Sequence, residues 1–104
     1  MFEKLQAIEN RYEELNMRLA DPSVMNDQEQ YLKLMKEHSE LSEIVEKFRE
    51  YKNYKKALEE AKQMLDEKPD KELMEMIEAE IDDARDGIAR TVRELKILLM
   101  PKDP

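Results

Sequence analysis

The sequence predicts an all-α fold in which an antiparallel three-helix bundle extends into a two-helix coiled-coil hairpin. Three observations support this prediction. The 104 residues are dominated by helix-favouring types and include a single glycine. Apolar residues recur at intervals of three and four, which places them on one face of an α-helix. Prolines fall between or after these periodic stretches, and proline is tolerated at the start of a helix but breaks its interior.

The first helix is predicted over residues 2–20. Its apolar stripe consists of Leu5, Ile8, Tyr12, Leu15 and Leu19. The pair Asp21-Pro22 ends it, because proline lacks a backbone N–H and forces the preceding residue out of the helical region. A short extra turn is expected over residues 23–25. The next helix then has two alternative capping pairs, namely Asn26 with Glu29 or Asp27 with Gln30.

The second helix is predicted over residues 27–67. Its stripe begins as Tyr31, Leu34, His38, Leu41, Val45 and Phe48, and then slips by one position to Tyr51, Tyr54, Leu58, Ala61 and Leu65. A slip of this kind indicates that the helix changes packing partners along its length. Short connections favour antiparallel neighbours. We therefore expect a three-helix base, beyond which residues 49–86 form the two-helix hairpin.

The third helix is predicted over residues 70–100, with Asp70 as its N-cap after the break at Lys68-Pro69. Its stripe is Met74, Ile77, Ile81, Ala84, Ile88, then Thr91 or Val92, then Leu95 and Leu99. Pro101 ends it. The sequence thus predicts one helical domain over residues 1–100, and residues 101–104 are interpreted as the start of a linker.

Composition excludes several classes of function. The net charge of −8 disfavours nucleic-acid binding by the whole surface, because phosphate affinity depends on clustered Lys and Arg. Without cysteine there is no disulfide, thiolate metal site or cysteine nucleophile. A single glycine cannot build a phosphate-cradling loop. The charged N-terminal segment argues against a signal peptide, and no apolar run is long enough to span a bilayer. We expect a cytoplasmic protein with no membrane contact, no cofactor, no metal and no catalytic residue.

Individual polar residues carry two interpretations each. His38, the single histidine, is expected to be partly buried and hydrogen-bonded rather than catalytic. Glu78, Asp82 and Asp83 could bind a divalent cation, but a solvated acidic face is favoured because no calcium-loop spacing surrounds them. Gly87 lies in the middle of a predicted helix, at a cost of about 1 kcal/mol relative to alanine. It indicates either a close helix contact or bend, or a tolerated surface position.

Two segments are candidate binding surfaces. The first is a basic segment interleaved with aromatic residues, a pattern that can contact RNA, although a core stripe beside a solvated face is the favoured interpretation. Its basic residues are Lys47, Arg49, Lys52, Lys55 and Lys56. The second is the run Ile97, Leu98, Leu99 and Met100, which is apolar on all sides. Such a helix end is normally covered, so contact with a following domain or a second chain is expected. The eight methionines are interpreted as core gap-fillers, with a docking surface as the alternative.

The chain also resembles a known family along its whole length. Residues 1–5, 9–16, 19–24, 48–52 and 61–65 are similar, in order, to the N-terminal helical domain of bacterial class I peptide chain release factors, and the most specific stretch runs from Leu95 to Pro104. This stretch is similar to the segment that links that domain to the next one in the family. The resemblance favours the release factor 1 group, which reads UAA and UAG, over the group that reads UGA.

The resemblance implies a role in translation termination. A complete factor enters the ribosomal decoding site, recognises a stop codon and places a Gly-Gly-Gln loop in the peptidyl-transferase centre, where water cleaves peptidyl-tRNA. The helical domain is an accessory that docks near the stalk base of the large ribosomal subunit and meets the GTPase release factor. This chain has neither Gly-Gly-Gln nor a Pro-x-Thr tripeptide, so the resemblance implies that both functional loops lie in the rest of the same polypeptide.

Two rival hypotheses come from other classes. A free-standing coiled-coil protein-protein interaction module would form a defined oligomer, and self-association through residues 97–100 is expected on either view. An enzyme would need a catalytic constellation that the sequence lacks.

Overall fold

The computed structural model describes residues 1–102, and these form four α-helices and no strand. The helices are α1 (Phe2–Leu19), α2 (Pro22–Met25), α3 (Gln28–Asp66) and α4 (Lys71–Leu98). The prediction of an all-α fold is confirmed, and each long helix ends within two residues of its expected bounds. Asp103 and Pro104, which belong to the expected linker, lie outside the described residues.

The segment between α1 and α3 is more ordered than a simple break. Pro22 occupies the first position of α2, where no N–H is needed, and Asp21 caps it by accepting a hydrogen bond of 2.9 Å from the Ser23 backbone N–H. Of the two alternative caps for α3, Asp27 is the one used, because its carboxylate accepts from the Gln30 N–H at 3.2 Å. Asn26 instead ends α2.

The ends of α4 differ in how well the sequence predicted them. Asp70 caps its start as expected, accepting from the Leu73 N–H at 2.9 Å. The expectation that the helix reaches Met100 is wrong, because α4 ends at Leu98. Met100 precedes Pro101, and a residue in that position avoids the helical region. The Met100 N–H instead closes a tighter turn onto the Ile97 carbonyl at 3.1 Å.

The contacts divide the chain into two compact units, Met1–Glu46 and the residues from Lys47 onward, and α3 contributes to both. In the first unit α1 and α2 pack against the N-terminal part of α3. Its core holds the buried side chains of Leu15, Val24 and Leu34, against which Leu19, Tyr31 and Leu41 pack.

The second unit pairs the rest of α3 with α4 in antiparallel register. A buried cluster of Ala61, Ile77 and Ile81, with Leu58 and Leu65 beside it, holds the loop end of the pair together. The connecting turn passes through Lys68 in the left-handed region (φ 55°), which is uncommon for a residue other than glycine.

The predicted apolar stripes of all three long helices are confirmed, since each of their positions is buried or half-buried. Between the two alternatives in α4, Thr91 is the fully buried one. Its hydroxyl donates to the Gly87 carbonyl at 2.8 Å, so no polar group is stranded in the core. The expectation that methionines fill the core is wrong, because none of the eight is buried.

Candidate functional site

An ion-pair network joins α3 to α4 in the second unit. The Lys47 ammonium lies 2.5 Å from the Glu94 carboxylate and 3.0 Å from that of Glu50. The Arg90 guanidinium donates to Glu50 at 2.7 Å and also contacts Glu94 at 3.3 Å. Two cations therefore alternate with two carboxylates across the helix pair. This arrangement fixes the register of the two helices more than a single surface pair would.

The network shifts the pKa values of its members in the directions that favour charge. The hydrogen bond from Arg90, followed by that from Lys47, holds the pKa of the Glu50 carboxyl below its ordinary value. For Glu94 the larger cause is Lys47, and Arg90 adds to it. The same contacts raise the pKa of Lys47. All four groups stay ionised near neutral pH, so none is poised to transfer a proton.

Tyr54 packs directly on the backbone of α4 at Gly87. A Cβ atom at Gly87 would lie 2.5 Å from Tyr54 Cδ1 and 2.6 Å from Cε1, far inside van der Waals contact. Arg90 lies over the same ring, with its guanidinium carbon 5.7 Å from the centroid, and donates to the Tyr54 hydroxyl at 3.0 Å. Of the two interpretations of Gly87, the close helix contact is confirmed.

The five basic residues of α3 do not converge on one point. Lys47 belongs to the ion-pair network, on the side of α3 that carries Tyr51 and Tyr54. Helical spacing of about 100° per residue puts Arg49, Lys52 and Lys56 together on the opposite face. We refer to these three residues as the basic face.

The lysines on and beside the basic face differ in burial, since Lys52 is half-buried and Lys56 is exposed. The Lys52 ammonium lies over the Phe48 ring, 4.6 Å from its centroid. Lys56 is 4.0 Å from Glu60, and both side chains are well exposed. Lys55 lies beside the face and is also exposed.

Charge is unevenly distributed along the second unit, and this feature can be read from the sequence alone. Residues 59–86, which surround the turn between α3 and α4, include twelve Asp or Glu and four Lys or Arg. We call this segment the acidic end. Its net charge of −8 equals that of the whole chain, so the remainder, including the basic face, is neutral overall. Met64, Leu73 and Met76 are exposed apolar side chains within the acidic end.

The C-terminal apolar run is partly uncovered. Ile97 is 66% exposed and Met100 is 64% exposed, whereas Leu98 and Leu99 are half-buried. The structure thus leaves two of these four residues available for contact with another surface.

Polar residues of the first unit are engaged in structural contacts. His38 stacks on Tyr12 with ring centroids 4.4 Å apart, and its Nε2 donates to the Asn16 side-chain oxygen at 2.7 Å. The expectation of a half-buried, hydrogen-bonded histidine is confirmed. The Arg11 guanidinium donates two hydrogen bonds, of 2.6 and 2.8 Å, to the Glu37 carboxylate. This pairing lowers the pKa of the Glu37 carboxyl.

Residues 1–102 offer few features that could hold a small ligand or an ion. No group of three or more His, Cys, Asp or Glu side chains there is arranged to hold a metal ion, Glu78, Asp82 and Asp83 included. A shallow cleft of about 400 Å³ is lined by Tyr54, Asp83, Asp86, Gly87, Ala89, Arg90 and Arg93. In the same part of the chain every buried side-chain nitrogen or oxygen has a hydrogen-bond partner, and no helix is both long and apolar enough to cross a membrane.

Comparison with known proteins gives this helical arrangement a family. The sequence model of the PCRF domain matches residues 8–104. The chain belongs to the PCRF domain family. No solved structure matches the chain.

Curated relatives that match this chain over its whole length are named peptide chain release factor 1. The protein of Acetivibrio thermocellus is 55% identical over all 104 residues, and those of Clostridium novyi and a Geobacillus species are each 52% identical over the same length. In each case the chain spans 29% of the length of the relative. The resemblance to release factors that the sequence indicated is therefore confirmed.

Proposed function

We propose that this chain acts in translation termination, as the accessory docking domain of a peptide chain release factor 1. One observation carries the proposal: the chain aligns from its first residue to its last with several release factor 1 proteins, among them three at 52–55% identity. In such a factor the complete polypeptide directs stop-codon-dependent release of the nascent peptide in the cytoplasm. This domain would supply affinity for the ribosome and would help to orient the factor on it.

The residues of the chain support a role without reaction chemistry. It has no cysteine and no Gly-Gly-Gln tripeptide, and its one histidine is held between Tyr12 and Asn16. The charged groups of the network that includes Lys47 and Glu94 are paired and ionised. Peptidyl-tRNA hydrolysis in the full factor would therefore depend on groups contributed by the rest of the polypeptide.

The ribosome is the proposed partner, and the two charge regions of the second unit suit different components of it. The basic face of Arg49, Lys52 and Lys56, with Lys55 beside it, suits ribosomal RNA, because lysine and arginine displace counterions from phosphates. The acidic end suits a basic protein surface, since a net charge of −8 would be repelled by RNA. A protein of the stalk base and the GTPase release factor are the proposed protein partners.

The exposed apolar residues at the end of α4 suit a third contact. Ile97 and Met100 would be covered by the rest of the same polypeptide in a complete factor. In the isolated chain the same residues would favour self-association, as in the alternative function of a free-standing coiled-coil interaction module. If the isolated chain stays monomeric by light scattering at high concentration, that result would argue against self-association through Ile97 and Met100.

The ribosome contact is tested by charge reversal in a full-length factor that carries this domain. Lys52→Glu with Lys55→Glu is expected to weaken ribosome binding and to lower the salt dependence of the association constant, by about one unit of slope for each lost phosphate contact. The matched control is Lys62→Glu with Lys71→Glu, which makes the same charge change at exposed lysines of the acidic end. Equal affinity of the two variants at physiological salt would remove the RNA contact from the proposal.

A further inference from the structure

None of the eight methionines of this protein is a buried residue. Six methionines are exposed, with exposed fractions from 42% at Met1 and Met64 to 77% at Met17, and the others of this group are Met25, Met76 and Met100. Met35 and Met74 are half-buried. The buried core consists of Leu, Val, Ile, Phe, Tyr, Ala and Thr side chains, with Glu9 at its edge, and the sequence has no cysteine. This distribution is the reverse of the usual one, in which methionine fills gaps in cores.

Exposure of a thioether decides both how fast it is oxidised and what its oxidation does. Hydrogen peroxide transfers one oxygen atom to the sulfur, which forms a sulfoxide, and the peroxide is reduced to water. The reaction needs no further reactant. In a core the new polar S=O group would lack a hydrogen-bond partner and would destabilise the fold. At the surface water solvates it.

We propose that the exposed methionines other than Met100, which the proposed function places in a contact, are sites of sulfoxidation by peroxide that the folded domain accepts without unfolding. Met17 is the foremost site, since its side chain is the most exposed of the eight. None of these methionines is among the buried residues of the core. The domain therefore takes up several oxygen atoms while its two cores remain intact.

One consequence concerns the acidic end. The antiparallel register of α3 and α4 brings Met64 of α3 to the same level as Met76 of α4, and Leu73 lies one turn from Met76. Oxidation of both sulfurs changes most of this exposed apolar surface into a polar one. The surface character of the acidic end thus responds to peroxide while its helices stay folded.

The test compares two variants treated with hydrogen peroxide. The first carries Met35→Leu and Met74→Leu, so only exposed sulfurs remain. The second carries leucine at Met17, Met25, Met64, Met76 and Met100, so only Met1 and the two half-buried sulfurs remain. Site-resolved mass spectrometry follows oxygen uptake, and far-UV circular dichroism follows helix content and melting.

The first variant is expected to reach full oxidation with its helical signal retained and its melting temperature shifted by less than about 4 °C. Met17 is expected to react first in the natural sequence, and the second variant is expected to react more slowly than the first. Loss of helix on oxidation of the first variant would overturn the proposal. So would oxidation of Met35 and Met74 as fast as that of Met17. Neither readout depends on ribosome binding, so this proposal can fail while the proposed function stands.

Discussion

The contact between Tyr54 and Gly87 gives a sharp prediction for stability. In an ordinary exposed helix position, Gly→Ala stabilises by about 1 kcal/mol through backbone propensity. At Gly87 the new methyl group would lie 2.5–2.7 Å from three carbons of the Tyr54 ring. Carbon atoms pack at about 3.5–4.0 Å, so the ring must retreat by about 1 Å.

The retreat of the ring is opposed by its other contacts. Arg90 lies over the ring and donates to its hydroxyl at 3.0 Å, so displacement disturbs the ion-pair network as well. Overpacking of this kind costs about 1–3 kcal/mol. The two effects together predict that Gly87→Ala leaves the domain between unchanged and about 2 kcal/mol less stable, instead of about 1 kcal/mol more stable.

A double-mutant cycle separates the two effects. Gly87→Ala is made in the natural sequence and in a Tyr54→Ala background, and the free energy of unfolding is measured by urea titration with circular dichroism. Without the ring the substitution should stabilise by about 1 kcal/mol, which gives a coupling energy of about 1–3 kcal/mol between the two positions. Ala79→Gly, at an exposed position of α4, calibrates the propensity of that helix. Stabilisation by Gly87→Ala to the same extent in both backgrounds would refute the argument.

Two further predictions concern the second unit. Ile77 is 1% exposed, so Ile77→Ala should lower the free energy of unfolding by about 2–5 kcal/mol. Met76→Ala, next to it, should change the free energy of unfolding by less than about 0.5 kcal/mol. Similar urea midpoints for the two variants would contradict the assigned core. The lowered pKa values of Glu50 and Glu94 mean that their ion pairs stabilise the fold fully above the ordinary glutamate pKa and lose this effect as pH falls through the lower folded values. Unfolding midpoints should therefore drop on acidification below about pH 4.5, and drop less steeply in Glu94→Gln; identical pH profiles would argue against the network.

Local signals in the sequence were sufficient for much of the fold. The spacing of apolar residues identified the buried face of each long helix, because that face repeats with the helical period whatever it packs against. Asp70 and the short turn after Pro22 were also predictable, since capping depends on residues within one turn. Where two local solutions were equally good, as with Asn26 and Asp27, only the structure could choose.

Features that depend on the register between helices could not be derived in this way. Lys47 and Glu50 are visible as neighbours on α3, and Arg90 and Glu94 on α4, but nothing local brings the two pairs together. For the same reason Gly87 kept two interpretations until Tyr54 was found against it. The methionines were misplaced because apolar character alone does not distinguish a core residue from an exposed one. The acidic end, by contrast, could have been identified from the sequence by counting the charged residues along the chain.

We propose that this domain adds affinity for the ribosome and no chemistry. This proposal is tested most directly by peptide release from stop-codon-programmed ribosomes, comparing a full-length factor that carries this domain with one that lacks residues 1–100. Without residues 1–100 we expect an unchanged release rate at saturating factor and a higher factor concentration for half-maximal rate. A collapse of the saturating rate, with half-saturation unchanged, would contradict it.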